Sequence, residues 1–356
     1  MSASPSAFPW RRILFFSFSL LVTVVVFRTL FTKVSWDDIV NMIQEIDFRW
    51  VGVFLLFSLF QLILRTFRYG MVLRASGENP PGFALFLVVV VRGLCVDMLP
   101  ARAGELVYIF LVRTRLGIDL GAATASFALA FLFDILALGP LVILGAWAMG
   151  GEQGFSTPVL VGGGVFLLLV SLGLIVAMVP VLKWGSRLFQ PWADKGKKWA
   201  AFLCTTADSI RESLLLAKEK KLFWKLLSSS LLIRVCKYSS LYALMLALLM
   251  PLGFTISSAA PAKAFIALVS GELAASLPVS GLGGFGAYEG TMTFVLVLLG
   301  FAEDTATALT IAHRGLTQIY GLLLGLSALL LLMLPVFRRG DDDGSAVNAD
   351  VPGQDV

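Results

Sequence analysis

Apolar residues in this chain come in long runs, and most polar residues fall in the stretches between them. Six runs, at 12–31, 50–73, 122–149, 159–182, 222–250 and 316–336, are long enough for a helix to cross a membrane, since about 30 Å of hydrocarbon takes about 20 helical residues. Two more apolar regions, 83–115 and 263–299, are broken near their centres by Pro, Gly and charge. Segment 32–49 has the pattern of an amphipathic surface helix, and 183–221 reads as a polar loop, helical in part. The pattern predicts an all-α polytopic membrane protein with about six full spans and two interrupted helical hairpins.

Composition supports lipid as the solvent. Of 356 residues 58% are hydrophobic and 14% charged, with a mean hydropathy of +0.88. A soluble domain carries about 25% charged residues, and a globule of this size cannot hide so much apolar surface from water. The chain is basic, and its charge is uneven. Every Lys and Arg lies at or before Arg339, whereas Asp341, Asp342, Asp343, Asp350 and Asp355 sit in the last residues. The body, 1–340, therefore sets 28 bases against 18 acids, and 341–356 reads as a disordered acidic tail. For so apolar a chain the expected partner of the positive charge is an anionic lipid headgroup rather than nucleic acid.

Lys and Arg also set the orientation. The loop 183–221 holds Lys183, Arg187, Lys195, Lys197, Lys198, Arg211, Lys218, Lys220 and Lys221, which predicts a cytoplasmic position. The 150–158 connection has neither residue type and is expected outside, as is the acidic 32–49. Arg11 and Arg12 before the first run, and Arg338 and Arg339 after the last, place both termini in the cytoplasm, with the protein in the cell (inner) membrane. Region 83–115 must then begin and end inside, and region 263–299 must begin and end outside. Each makes an even number of crossings. Because their halves are short and their centres hold helix breakers, hairpins entering from opposite faces are expected, possibly as inverted repeats.

The two breaks resemble each other. One reads Leu99-Pro100-Ala101-Arg102-Ala103-Gly104-Glu105, the other Leu277-Pro278-Val279-Ser280-Gly281 and on through Gly283, Gly284 and Gly286 to Glu289. Proline removes a backbone donor and glycine allows unusual backbone angles. Lipid cannot satisfy the freed peptide groups, so a break must face protein or a wet cavity. The helix N-termini beginning near Ala103 and Gly286 would point NH groups inward, where an anion such as phosphate is favoured. Close packing of helices on the glycines is the plainer alternative.

Charges within the apolar regions narrow the search. One at a helix centre costs about 2.5–3.5 kcal/mol. Arg65 and Arg68, near a span end, are expected to snorkel. Asp97, Glu105, Asp134, Glu272 and Glu289 have side chains too short for that, so each is a candidate for function or for an internal ion pair. Arg234 and Lys237, spaced i and i+3, share a helix face. Arg92, Asp97, Arg102, Glu105, Arg234, Lys237, Glu272, Glu289 and Arg314 are the candidate substrate-binding residues. Pro100, Gly104, Pro278, Gly283, Gly284 and Gly286 are the candidate backbone breaks. His313 reads as a hydrogen-bonding structural residue, with proton carriage as the alternative.

No catalytic or metal site is indicated, and no cofactor is expected. Cys95, Cys204 and Cys236 are scattered without a C-x-x-C, and one histidine cannot build a His cluster. There is no P-loop motif. Gly281 to Gly286 spells G-x-G-x-x-G but stands between apolar helices, without the βαβ setting a dinucleotide site needs.

Several of these residues, taken in order, match a known pattern. They are Arg65-Thr66-Phe67-Arg68-Tyr69 with Leu73; Leu99-Pro100 through Gly104-Glu105; Asp134; Pro278 with Gly283-Gly284-Phe285-Gly286 and Glu289; and Ala312-His313-Arg314. Over roughly residues 10–338 the sequence resembles the prokaryotic membrane family typified by the flippase-like transmembrane region of lysylphosphatidylglycerol synthases. The resemblance implies movement or handling of amphipathic lipids, such as aminoacylated phosphatidylglycerol or polyprenyl-linked sugars. The sequence continues only briefly past Arg339, so a stand-alone member without the synthase activity is expected. The leading expectation is a lipid translocator with a polar groove between the two hairpins. A transferase acting on a lipid carrier, and an accessory subunit of an envelope-lipid synthesis complex, are the alternatives.

Overall fold

The computed structural model describes residues 24–26, 28–98, 104–149, 157–276 and 286–334, and no strand occurs among them. The first predicted run lies mostly outside the described residues, as do Pro100, Arg102, Pro278, Gly283, Gly284 and the acidic tail. The surface segment forms α1 (Trp36–Gln44). Its start is a reciprocal cap: Ser35 Oγ accepts from the Asp38 N–H, and the Asp38 carboxylate accepts from the Ser35 N–H, each at 3.1 Å. Ile39 and Met42 are its buried face.

Then follow α2 (Phe48–Ala75), α3 (Gly82–Met98), α4 (Gly104–Leu116), α5 (Leu120–Met149), α6 (Thr157–Asp194) and α7 (Lys198–Glu219). The rest are α8 (Phe223–Leu249), α9 (Pro261–Ala275), α10 (Ala287–Leu298) and α11 (Glu303–Leu332). Five helices are long and apolar enough to cross a membrane: α2, α5, α6, α8 and α11. This is an all-α polytopic membrane protein.

The two interrupted regions fold as hairpins of short helices. Their arms have 17 and 13 residues in one and 15 and 12 in the other, or about 18–26 Å at 1.5 Å per residue. That is short of a full hydrocarbon crossing. Contacts at the two ends of the bundle locate the hairpins. The Asp47 N–H donates to the Ala247 carbonyl (3.0 Å) at one end of the bundle, and Lys220 Nζ to the Arg74 carbonyl (3.4 Å) at the other, so α2 and α8 are antiparallel. Glu78, before α3, accepts from the Asp119 N–H, after α4, at 3.1 Å. The first hairpin thus starts and finishes near Arg74. Phe254, before α9, stacks on Phe301, after α10, at 5.7 Å. The second starts and finishes at the opposite end.

The packing repeats with the same logic. α2 packs on α3 as α8 does on α9, and α4 on α5 as α10 does on α11. α3 meets α11 as α9 meets α5, and α2 meets α5 as α8 meets α11. Exchanging α2 with α8, α3–α4 with α9–α10, and α5 with α11 preserves these contacts, which is the arrangement of an inverted repeat.

Two boundaries differ from the sequence expectation. The last span starts at Glu303, not 316. Its first turns carry Thr307, Thr310, His313 and Arg314, polar groups that face protein rather than lipid and so lower the apparent hydropathy. The 183–221 segment is helical almost throughout. α6 runs on for 38 residues, about 57 Å, and α7 folds back along it after a turn at Gly196 with φ of 75°.

The hairpin tips explain one glycine directly. A Cβ on Gly104 would stand 2.1 Å from the Cys95 carbonyl carbon and 2.2 Å from the Val96 nitrogen. Backbone lies against backbone there, so nothing can swing aside. Gly52, on α2, has nothing within 4 Å of a Cβ. Gly104→Ala is expected to destabilise the protein by about 1–3 kcal/mol, as overpacking does. Gly52→Ala should raise stability by up to about 1 kcal/mol through the unfolded-chain entropy it removes. Thermal unfolding of both variants in detergent checks the contrast.

Candidate functional site

The hairpins and their flanking helices enclose a cavity of about 270 Å³. Its walls come from α2, α3, α4, α5, α8, α9, α10 and α11, so both halves of the repeat contribute. Hydroxyls and amides line it, including Ser58, Gln61, Ser240, Thr317 and Gln318, and so do eight charged side chains. Five are cations (Arg65, Arg92, Arg234, Lys237, Arg314) and three are acids (Glu105, Asp134, Glu272).

Every carboxylate here has a cation. On α3 and α4, Arg92 and Glu105 form a buried ion pair. Arg68, fully buried on α2, grips Asp134 on α5 with both terminal nitrogens, at 2.6 and 3.2 Å, and donates also to Ser230 on α8 at 2.6 Å. Glu272 on α9 collects Lys237, Arg234 at 3.4 Å and the Tyr238 hydroxyl at 2.8 Å, all from α8. Glu289, buried just behind the wall, lies 3.8 Å from Arg314 Nε, and the Arg314 guanidinium lies over the Tyr288 ring at 4.7 Å. Counting Arg68 and Glu289 with the lining groups, six cations meet four carboxylates among the described residues.

The helix N-termini at the breaks behave differently from the sequence expectation. The carboxylate of Glu289 accepts from the Gly286 N–H at 2.6 Å, capping its own helix. Gly286 has φ of 99°, which only glycine adopts without strain. Glu105 stands in the first turn of α4. Each break therefore supplies its own negative charge to its helix dipole. The part of an anion site falls to side-chain cations instead. Gly104 serves the close approach described above, so the packing alternative holds at that position.

Six of the nine candidate binding residues, Arg92, Glu105, Arg234, Lys237, Glu272 and Arg314, come together on one cavity wall system, with Glu289 directly behind it. Arg102 lies outside the described residues, as does the Asp97 side chain. His313 is buried and donates from Nε2 to the Leu241 carbonyl at 3.0 Å, tying α11 to α8.

Arg65 and Arg68 do not snorkel. Arg68 is 0% exposed and Arg65 lines the cavity. Both face inward because α2 lies against α8, α3 and α5 on that side. The signal was available: Ser58, Gln61, Arg65 and Arg68 fall three or four residues apart, one polar stripe on an otherwise apolar helix. On α11 the same spacing holds for Arg314, Thr317, Gln318 and Gly321, all at the cavity.

The Arg68–Asp134 pair generates a stability test. Arg68→Met alone strands a buried carboxylate, and breaking such a pair typically costs about 3–5 kcal/mol. The double variant Arg68→Met with Asp134→Leu removes both charges. It is expected to unfold at a higher temperature than the Arg68→Met single variant, and a double-mutant cycle in detergent measures the coupling.

Sequence comparison places this architecture. A 146-residue part of the chain, 40% of its length, is 25% identical to "Glycosyltransferase AglD" of Haloferax volcanii. The match spans only 23% of that protein, well under two thirds of its length. A far more extensive match is to the family model described as the lysylphosphatidylglycerol synthase TM region, over residues 16–325. That span contains both hairpins and every charged residue of the cavity, and the chain belongs to the lysylphosphatidylglycerol synthase transmembrane-region family.

Proposed function

We propose that this protein moves an anionic lipid across the membrane by passing its headgroup through the charged cavity while the acyl chains stay in the bilayer. The observation that carries this reading is the excess, among the described residues, of six cations over four carboxylates around one cavity. Buried charge of one sign is costly in a low-dielectric setting unless a counter-charge is supplied. A phosphate supplies it. Hydroxyls and amides on the wall replace headgroup water during passage.

The inverted repeat suits alternating access. Two hairpins that enter from opposite ends can each open the cavity to one side, with the binding groups held between them. Lys237 and Arg234 share Glu272, so together they leave more positive charge than that carboxylate cancels.

A second reading, handling of a lipid-linked sugar, draws on the similarity to the glycosyltransferase of Haloferax volcanii. Both readings place a lipid phosphate in the same cavity. A polyprenyl phosphate probe separates them from each other.

Reconstitution tests the proposal. Proteoliposomes with fluorescent phosphatidylglycerol should expose the inner-leaflet label to an impermeant quencher faster than protein-free vesicles do. Lys237→Gln leaves Glu272 with Arg234 and Tyr238, and is expected to slow that exposure by about tenfold, the size of one lost charged hydrogen bond. Wild-type exchange equal to that of empty vesicles contradicts the proposal.

A further inference from the structure

The cavity's cations are not equivalent. Arg68, Arg92, Arg234, Lys237 and Arg314 each stand within an ion pair. Arg65 does not. It lines the cavity, and it makes no ion pair or side-chain hydrogen bond with any described residue. Its Nε is buried and unpaired, and so is Oε1 of Gln61, one turn away on the same wall. Arg65 stands ten residues before the end of α2 at Ala75, about 15 Å into the bundle, too deep for its charge to be left without a counter-charge at no cost.

The repeat shows how a ligand could reach it. Under the exchange of halves, the packing of α5 on α8 corresponds to packing of α11 on α2. α5 and α8 pack extensively, but α2 and α11 do not. They are joined by a hydrogen bond from Ser58 Oγ to the Tyr320 hydroxyl at 3.0 Å and by the Phe54–Tyr320 ring contact at 5.1 Å. This is where the pseudo-symmetry breaks, and both helices line the cavity there. Leu59 and Ile63 on α2 and Leu323 on α11 are exposed, as lipid-facing side chains would be. The described part of the first helix lies elsewhere, with Val26 beside Gly290 on α10.

We infer that Arg65 is the primary anchor for the phosphate of a membrane lipid, and that the headgroup reaches it sideways through the α2–α11 seam, whose latch is the Ser58–Tyr320 contact. Guanidinium and phosphate make paired, charge-assisted hydrogen bonds. Gln61 and Ser58 stand on the same stripe to take the glycerol or sugar hydroxyls of the headgroup. The lipid tails remain outside the seam against the exposed leucines. This inference rests on the lipid-handling reading of the cavity but not on transport.

Binding separates the two. Detergent-purified protein is titrated with dioctanoyl phosphatidylglycerol, with dioctanoylglycerol, which lacks phosphate, and with inorganic phosphate. Arg65→Gln breaks no ion pair, so the variant should fold. It is expected to bind dioctanoyl phosphatidylglycerol about tenfold or more weakly, with Arg65→Lys recovering part of the loss and dioctanoylglycerol binding unchanged. Equal phosphatidylglycerol binding by Arg65→Gln and wild type overturns the inference. So does an equal loss for dioctanoylglycerol, and so does wild-type protein that binds no phosphate-bearing lipid. Inorganic phosphate binding as tightly as the lipid would assign the site to the free anion and overturn the lipid assignment. For the route, Ser58→Cys with Tyr320→Cys in a background lacking the native cysteines should, when oxidised, slow lipid exchange at Arg65 at least about tenfold. Unchanged exchange overturns the lateral path. Arg65-dependent binding without any transbilayer movement in vesicles would sink the translocator proposal and leave this inference standing.

Discussion

Ion pairing in a medium that cannot solvate ions is the constraint on which this structure depends. Hydrocarbon offers no hydrogen bonds, so each carboxylate at depth must find a cation within the protein. The four pairs do more than neutralise charge. Arg68–Asp134 links α2 to α5 and, through Ser230, to α8; Glu272 links α9 to α8; Glu289 links α10 to α11; Arg92–Glu105 closes the first hairpin. The same contacts that make the charges tolerable thus hold the broken elements around a central space. A polar interior and a fold of short hairpins are two consequences of one requirement.

The inverted repeat gives this requirement its geometry. The short arms of the two hairpins enter from opposite ends, and residues on all four arms line one polar cavity. Of the carboxylates placed just after each break, Glu289 caps its own helix N-terminus and Glu105 stands in the first turn of its helix, paired with Arg92. That leaves the arginines and lysine of the walls to meet a ligand. The helix dipole shapes the site, but side-chain cations define its chemistry.

Much of this was legible in the sequence. Apolar run length gave six spans, five of which are long helices among the described residues, and the parity of Lys and Arg gave two hairpins entering from opposite sides. Acids too short to snorkel pointed to Glu105, Glu272 and Glu289, which stand at or directly behind the cavity wall. What stayed hidden depended on neighbours. Arg65 and Arg68 look like interfacial residues when distance to a span end is the only guide, because the stripe they share with Ser58 and Gln61 matters only once α8 lies beside it. The start of α11 was obscured because its first turns face protein, where polar residues are welcome. The helicity of 183–221 was underestimated because polar composition argues against a span and says little against a helix.

The claim beneath all of this is that the ionic side chains surround a hydrated space within the membrane. Labelling introduced cysteines in membrane vesicles tests it most directly, using a charged, impermeant thiol reagent in a background without Cys95, Cys204 and Cys236. Thr317 lines the cavity, and Leu323, on the same helix, is exposed on the bilayer side. Thr317→Cys is expected to react from at least one face of the membrane while Leu323→Cys stays unlabelled. Thr317→Cys as inert as Leu323→Cys, from both faces, would contradict it.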